Sequence, residues 1–132
     1  MTIRILLVDD NQTFLSAVRL FLDWLEETSV VGEAHDGSQA LALARQTEPD
    51  LVLLDIGLPV ISGLEVARAL RAQPKSPQLI FLSMHDTEAY RLAANEFEPL
   101  AFVAKSDFVT KLLPVMESLI ATHIEAPGPG TP

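Results

Sequence analysis

The 132-residue chain has no cysteine, which removes disulfides, thiolate metal sites and a cysteine nucleophile together. It is short of positive charge: nine Lys and Arg face eighteen Asp and Glu, a formal net charge of −9. A surface of that sign repels polyphosphate, so direct nucleic-acid binding is disfavoured. No apolar run approaches the roughly 20 residues that span a bilayer, and no basic stretch leads into a signal-like apolar run. What is abundant is apolar: 48% of the residues are hydrophobic, enough to bury the core of one domain. These features together lead us to expect an acidic cytoplasmic domain.

The apolar residues alternate between two periods. Ile3 to Val8 is a short branched run of the kind found in strands buried on both faces, and it ends in Asp9-Asp10-Asn11. Phe14, Val18, Phe21, Leu22 and Leu25 then recur at helical spacing behind Asn11, a suitable cap. The cycle repeats four times. Val30–Ala34 is followed by a helix opening at Asp36-Gly37, and Leu51–Leu54 runs into Asp55 before a helix on Leu64, Val66, Ala67 and Leu70. Gln78–Leu82 stops at Ser83 before a helix over about 87–96, and Leu100–Ala104 stops at Lys105 before a helix over about 107–123. Strict alternation predicts an α/β fold: a flavodoxin-like, doubly wound sheet of five parallel strands, order 2-1-3-4-5, with helices on both faces. Pro/Gly-rich residues 125–132 cannot continue the last helix, and are either a disordered tail or the start of a linker.

In such a sheet the strand ends share one edge, so Asp9, Asp10, Asp55, Ser83 and Lys105 converge. Any one of these acids alone is most simply a cap or turn residue. Three together repel one another unless a cation neutralises them, and oxygen donors without His or Cys select a hard ion. Mg²⁺ is the natural candidate, with Mn²⁺ tolerated. A magnesium site beside a lysine and a hydroxyl suits phosphoryl transfer, although the residues do not distinguish nucleophile from ligand.

Ile5-Leu6-Leu7-Val8-Asp9-Asp10-Asn11, Asp55-Ile-Gly-Leu-Pro59 with Gly63, Leu82-Ser83 and Phe102-Val-Ala-Lys105 resemble, in order and spacing, the receiver domain of two-component response regulators. The resemblance covers about residues 3–122 and implies a CheY-like fold for residues 1–124. Leu82 to Asp86, and Lys105 followed by Ser, resemble the NarL/FixJ (LuxR-type) branch, whose members usually carry a C-terminal helix-turn-helix. By that resemblance Asp55 accepts a phosphoryl group from a sensor histidine kinase or phosphotransfer protein. Asp10, Asp55 and the Gly57 carbonyl hold Mg²⁺, and Asp9 acts through a metal-bound water. Lys105 and Ser83 meet the phosphoryl oxygens, and Phe102 is the aromatic switch. No turnover of foreign substrates is expected, so the chain is not an enzyme beyond its own phosphorylation and dephosphorylation.

The pattern also has departures. Met84 stands where the family most often has a small residue, and Gly57 and His85 occupy positions that modulate phosphate lifetime. Asn95–Leu100 has no glycine on the approach to the fifth strand, so an altered turn is expected there, and no cis peptide is expected after Lys105. Met84 motivates an alternative, a phosphorylation-independent interaction module of the same fold. A metal-dependent aspartyl phosphatase is disfavoured, because Gly57 stands where such enzymes commonly have their general acid. The last helix carries two apolar rows, Phe108/Leu112/Val115/Leu119 and Val109/Leu113/Met116/Ile120. The second row is either deeper burial or a contact surface, such as a homodimer. Pro114 should kink this helix unless it begins a second segment. Trp24 is expected to pack, Arg68, Arg71 and Lys75 to share a solvated face, and His35 and His123 to be incidental.

Overall fold

The computed structural model describes residues 2–84 and 88–125; Met1, residues 85–87 and residues 126–132 lie outside it. Five strands and five helices alternate: β1 (Ile3–Val8), α1 (Gln12–Asp23), β2 (Thr28–Ala34), α2 (Gly37–Thr47), β3 (Leu51–Asp55), α3 (Gly63–Arg71), β4 (Gln78–Ser83), α4 (Glu88–Asn95), β5 (Ala101–Ala104) and α5 (Phe108–Glu125). A single 3-10 turn, Lys105–Asp107, leads into α5. All strands are parallel in the order β2-β1-β3-β4-β5, as the alternation predicts. β2 begins two residues earlier than expected, and its pairing with β1 shifts register between Ile5 and Leu6.

The sheet divides the core in two, because successive strand side chains face opposite ways. Leu6, Val8, Val52, Leu54, Leu79 and Phe81 pack towards α2, α3 and α4. Ile5, Leu7, Leu51, Leu53, Ile80 and Leu82 pack towards α1 and α5. Burial on both faces is why β1, β3 and β4 are continuous apolar runs. Helix starts are capped as their sequences suggest: Asn11 Oδ1 accepts from Phe14 N at 3.0 Å, and Asp36 Oδ1 from Gln39 N at 2.8 Å.

Three expectations are corrected or refined. Trp24 does not pack: it is 83% exposed, beside Leu20 at 64%, on the outer face of α1. Its i−4 partner faces solvent too, so helical spacing alone did not make it core. Arg71 does not lie on a solvated face. Its guanidinium donates to Phe97 O, Pro77 O, Ser76 Oγ and Glu98 O, while Arg68 stands 5.8 Å over the Phe97 ring. These bonds hold the turn before β5, where Glu98 takes a φ of 49°. α5 runs unbroken through Pro114, whose exposed position leaves the Thr110 carbonyl that it cannot satisfy on the solvent side. The first apolar row of α5 feeds the core, as do Met116 and Ile120 of the second, with Leu112 and Met116 fully buried; Leu113 is half-buried and Val109 is exposed at 48%.

The β3–α3 connection leaves no spare volume. A Cβ on Gly63 would lie 2.1 Å from the Asp55 carbonyl oxygen and 2.7 Å from Ile56 Cα, both backbone atoms that cannot step aside. Gly63→Ala is therefore expected to destabilise the fold by about 3 kcal/mol or more, as a forced backbone clash. Urea denaturation measures it, and a loss under about 1 kcal/mol would show that the loop can relax around a methyl group.

Candidate functional site

The carboxyl ends of β1, β3, β4 and β5 deliver Asp9, Asp55, Ser83 and Lys105 to one edge, and all four are buried. Asp10 joins them from the exposed side. One carboxylate oxygen from each of Asp9, Asp10 and Asp55 lies within 4.8 Å of the others. Lys105 Nζ is 2.5 Å from Asp9 Oδ2 and 3.3 Å from Asp55 Oδ2. The close approach to Asp9 lacks hydrogen-bond direction, and Oδ2 has no hydrogen-bond partner among the described residues. Its sister oxygen accepts from Asn11 N at 2.9 Å.

Asp10, Asp55, Ser83 and Lys105 line a cavity of about 260 Å³ with Asn11, Ile56, Gly57, Met84 and Tyr90. Gly57 N donates to Asp55 Oδ1 at 3.0 Å, which turns the loop back on the carboxylate. Next to it, Ile61 N bonds Pro59 O at 2.8 Å around Val60 at a φ of 66°, the strained hand of a γ-turn on a β-branched residue. Met84 borders the cavity but points mainly to solvent, 73% exposed, so it rims the site without plugging it. Phe102 is half-buried, with the Arg91 guanidinium 4.8 Å over its ring. His85 lies outside the described residues. His35 Nε2 meets Gln12 Oε1 at 2.8 Å, and no contact among the described residues ties it to the cluster.

Sequence reasoning missed two members. Tyr90 reaches the cavity from α4, and Phe14, predicted as core, presents its ring to Lys105 Nζ at 4.9 Å. Neither position carries a signal in the sequence, since an aromatic residue at helical spacing is the ordinary mark of a core stripe.

The arrangement fits a hard divalent cation: three carboxylates converge, one buried oxygen lacks a hydrogen-bond partner, and no His or Cys joins the group among the described residues. Among known families, the one described as response regulator receiver domain matches residues 5–116. The chain belongs to that family. A putative transcriptional regulator of Pseudomonas aeruginosa is 32% identical over 94% of the chain and 59% of its own length. The nitrate/nitrite response regulator protein NarL of Escherichia coli is 36% identical over 64% of the chain and 39% of its own length. This receiver domain therefore spans only part of each of these curated relatives. The solved receiver domain of the putative response regulator NarL from Mycobacterium tuberculosis superposes with a TM-score of 0.82 at 29% identity, covering 91% of this chain and 97% of that one. A LuxR-family response regulator from Aurantimonas superposes at 0.83 and 32% identity, covering 92% and 86%.

Within this receiver domain, burial is the main cause that raises the Asp55 carboxyl above its ordinary pKa. The Gly57 N–H opposes it, the Asp9 charge adds to it, and Lys105 opposes it again. A folded-state pKa above the unfolded one means that ionised Asp55 destabilises the fold. The associated stability is complete below the unfolded pKa and is lost as pH rises through the folded one. Without divalent cation, Asp55→Asn should therefore melt above wild type at neutral pH, and the gap should close on acidification towards pH ~4, where an ordinary aspartate is half protonated. Thermal denaturation across that range checks it; a gap independent of pH would remove burial of the charge as its cause.

Proposed function

We propose that this domain is a phospho-accepting signalling switch whose nucleophile is Asp55. The observation that carries this is the buried Lys105 ammonium 3.3 Å from the Asp55 carboxylate inside a three-carboxylate cluster open to a cavity. A carboxylate oxygen of Asp55 attacks phosphorus, the P–N bond to a histidine of the donor breaks, and the imidazole nitrogen keeps the electron pair. Asp9, Asp10, Asp55 and the Gly57 carbonyl would hold Mg²⁺ (or Mn²⁺), which when bound supplies positive charge to the carboxylates and phosphoryl oxygens. Lys105 pairs with the phosphoryl oxygens, and Ser83, buried at the end of β4, donates to them. The inward pull on the segment after Ser83, a segment that includes His85, biases Phe102 on β5 and with it the α4–β5–α5 surface. Met84 and Gly57, flanking the cavity, influence how water reaches the acyl phosphate.

A sensor histidine kinase or phosphotransfer protein is the donor, in the cytoplasm, and the domain turns over no substrate beyond its own phosphorylation and dephosphorylation. Support for a longer regulator comes from relatives such as NarL, of which the domain spans a part. On this reading residues 1–124 are the receiver, and the Pro/Gly-rich residues from 125 are either a disordered tail or, where the chain is part of a longer regulator, a linker to a DNA-binding transcriptional output. No described helix is long and apolar enough to cross a membrane.

Incubation with acetyl phosphate and Mg²⁺ should add one phosphoryl mass to the intact protein, and Asp55→Asn or chelation of the metal should abolish the gain. A wild-type chain that stays unmodified would favour the phosphorylation-independent module instead. Leu92, Leu100 and Val109 remain exposed around α4, β5 and α5, at 62%, 40% and 48%. A homodimer through this face should appear in light scattering once a phosphate mimic is bound. A monomer at every concentration would exclude it.

A further inference from the structure

Lys105 has a third neighbour beyond its two carboxylates. Its Nζ stands over the face of Phe14 at 4.9 Å from the ring centroid. That ring is itself held: the Phe14 N–H is fixed by the Asn11 cap, and the ring meets Phe108 edge-to-face at 5.3 Å and 72°. Phe108 in turn meets Phe21 at 6.0 Å and 79°. Phe108 follows Lys105 by three residues, so one short segment supplies both the ammonium and the ring that braces Phe14.

An ammonium is a point charge on a flexible stem, without the planar fork that fixes an arginine. Held by carboxylates alone it would be drawn onto Asp9, which is already nearer than Asp55, 2.5 Å against 3.3 Å. An aromatic face attracts the cation without adding an ion pair that phosphoryl oxygens must displace. We propose that Phe14 is a positioning residue for phosphoryl transfer, its ring face holding the Lys105 ammonium within reach of both Asp9 and Asp55. The kinetic part of this inference rests on Asp55 being the phosphoacceptor; the contact itself does not.

The test uses the full chain with acetyl phosphate at saturating Mg²⁺. Phe14→Leu keeps apolar bulk but loses the π-face, and should take up phosphoryl roughly tenfold more slowly, the scale of a desolvated cation–π contact. Phe14→Tyr should retain the wild-type rate within about twofold, because its ring face attracts a cation comparably. A phenylalanine fluorinated stepwise at position 14 drains the ring face of charge at nearly constant shape, so the rate should fall with each fluorine while the melting temperature holds. This series also serves if Leu impairs folding. An equal rate in all variants, or a loss that follows stability alone, would overturn the proposal. The contact has a readout independent of phosphorylation: the Lys105 ε-methylene protons should resonate upfield in wild type and return to the ordinary position in Phe14→Leu. No such displacement would overturn it even if phosphorylation proceeds, whereas its presence in a chain that accepts no phosphoryl group would spare it and reject the switch.

Discussion

The structure turns on a charge imbalance. Three carboxylates share one sheet edge with the buried Lys105 ammonium, so their charges do not balance. The fold tolerates this only because its apolar core elsewhere is thoroughly buried: β3 is buried along its whole length, and β1 and β4 over most of theirs. Stability from the two hydrophobic layers thus supports a site that works against it, the usual relation between a scaffold and groups held ready for chemistry. The raised pKa of Asp55 is the local sign of that tension, which a divalent cation would relieve.

Much of this was legible in the sequence, for physical reasons that differ by element. Ile3–Val8, Leu51–Leu54 and Gln78–Leu82 are runs that only a strand covered on both faces would bury, and parallel strands bring their polar ends to one edge. Asp9, Asp55, Ser83 and Lys105 could therefore be grouped without coordinates. The exposed or cross-element roles could not. Trp24 follows Phe21 by three residues, a helical spacing, yet like Leu20 it lies exposed at the end of α1. Arg71 looks like any helix-surface arginine until the turn at Glu98 folds back onto it. Phe14 belongs to the apolar stripe and to the site at once, and periodicity reports only the first.

The β3–α3 connection shows how closely the site is tied to backbone geometry. Gly63 allows α3 to start against the Asp55 carbonyl, and Val60 absorbs the reversal in a left-handed turn with its side chain wholly exposed. Strain of this kind persists only where surrounding structure over-determines it. Here Gly57 and Gly63, whose N–H groups bond the Asp55 carboxylate and the Ile56 carbonyl, bracket the strained residue on either side.

The exposed indole at the end of α1 has a practical corollary. The chain has one tryptophan and one tyrosine, and they lie in different settings: Trp24 in solvent just past the end of α1, Tyr90 at the mouth of the acidic cavity. Emission from the indole reports on water at the surface of α1, and changes little when the interior loosens. The phenol stands where an arriving anion or cation alters its surroundings. Nature has in effect labelled the molecule twice, with one chromophore reporting the outer helix and the other the chemistry.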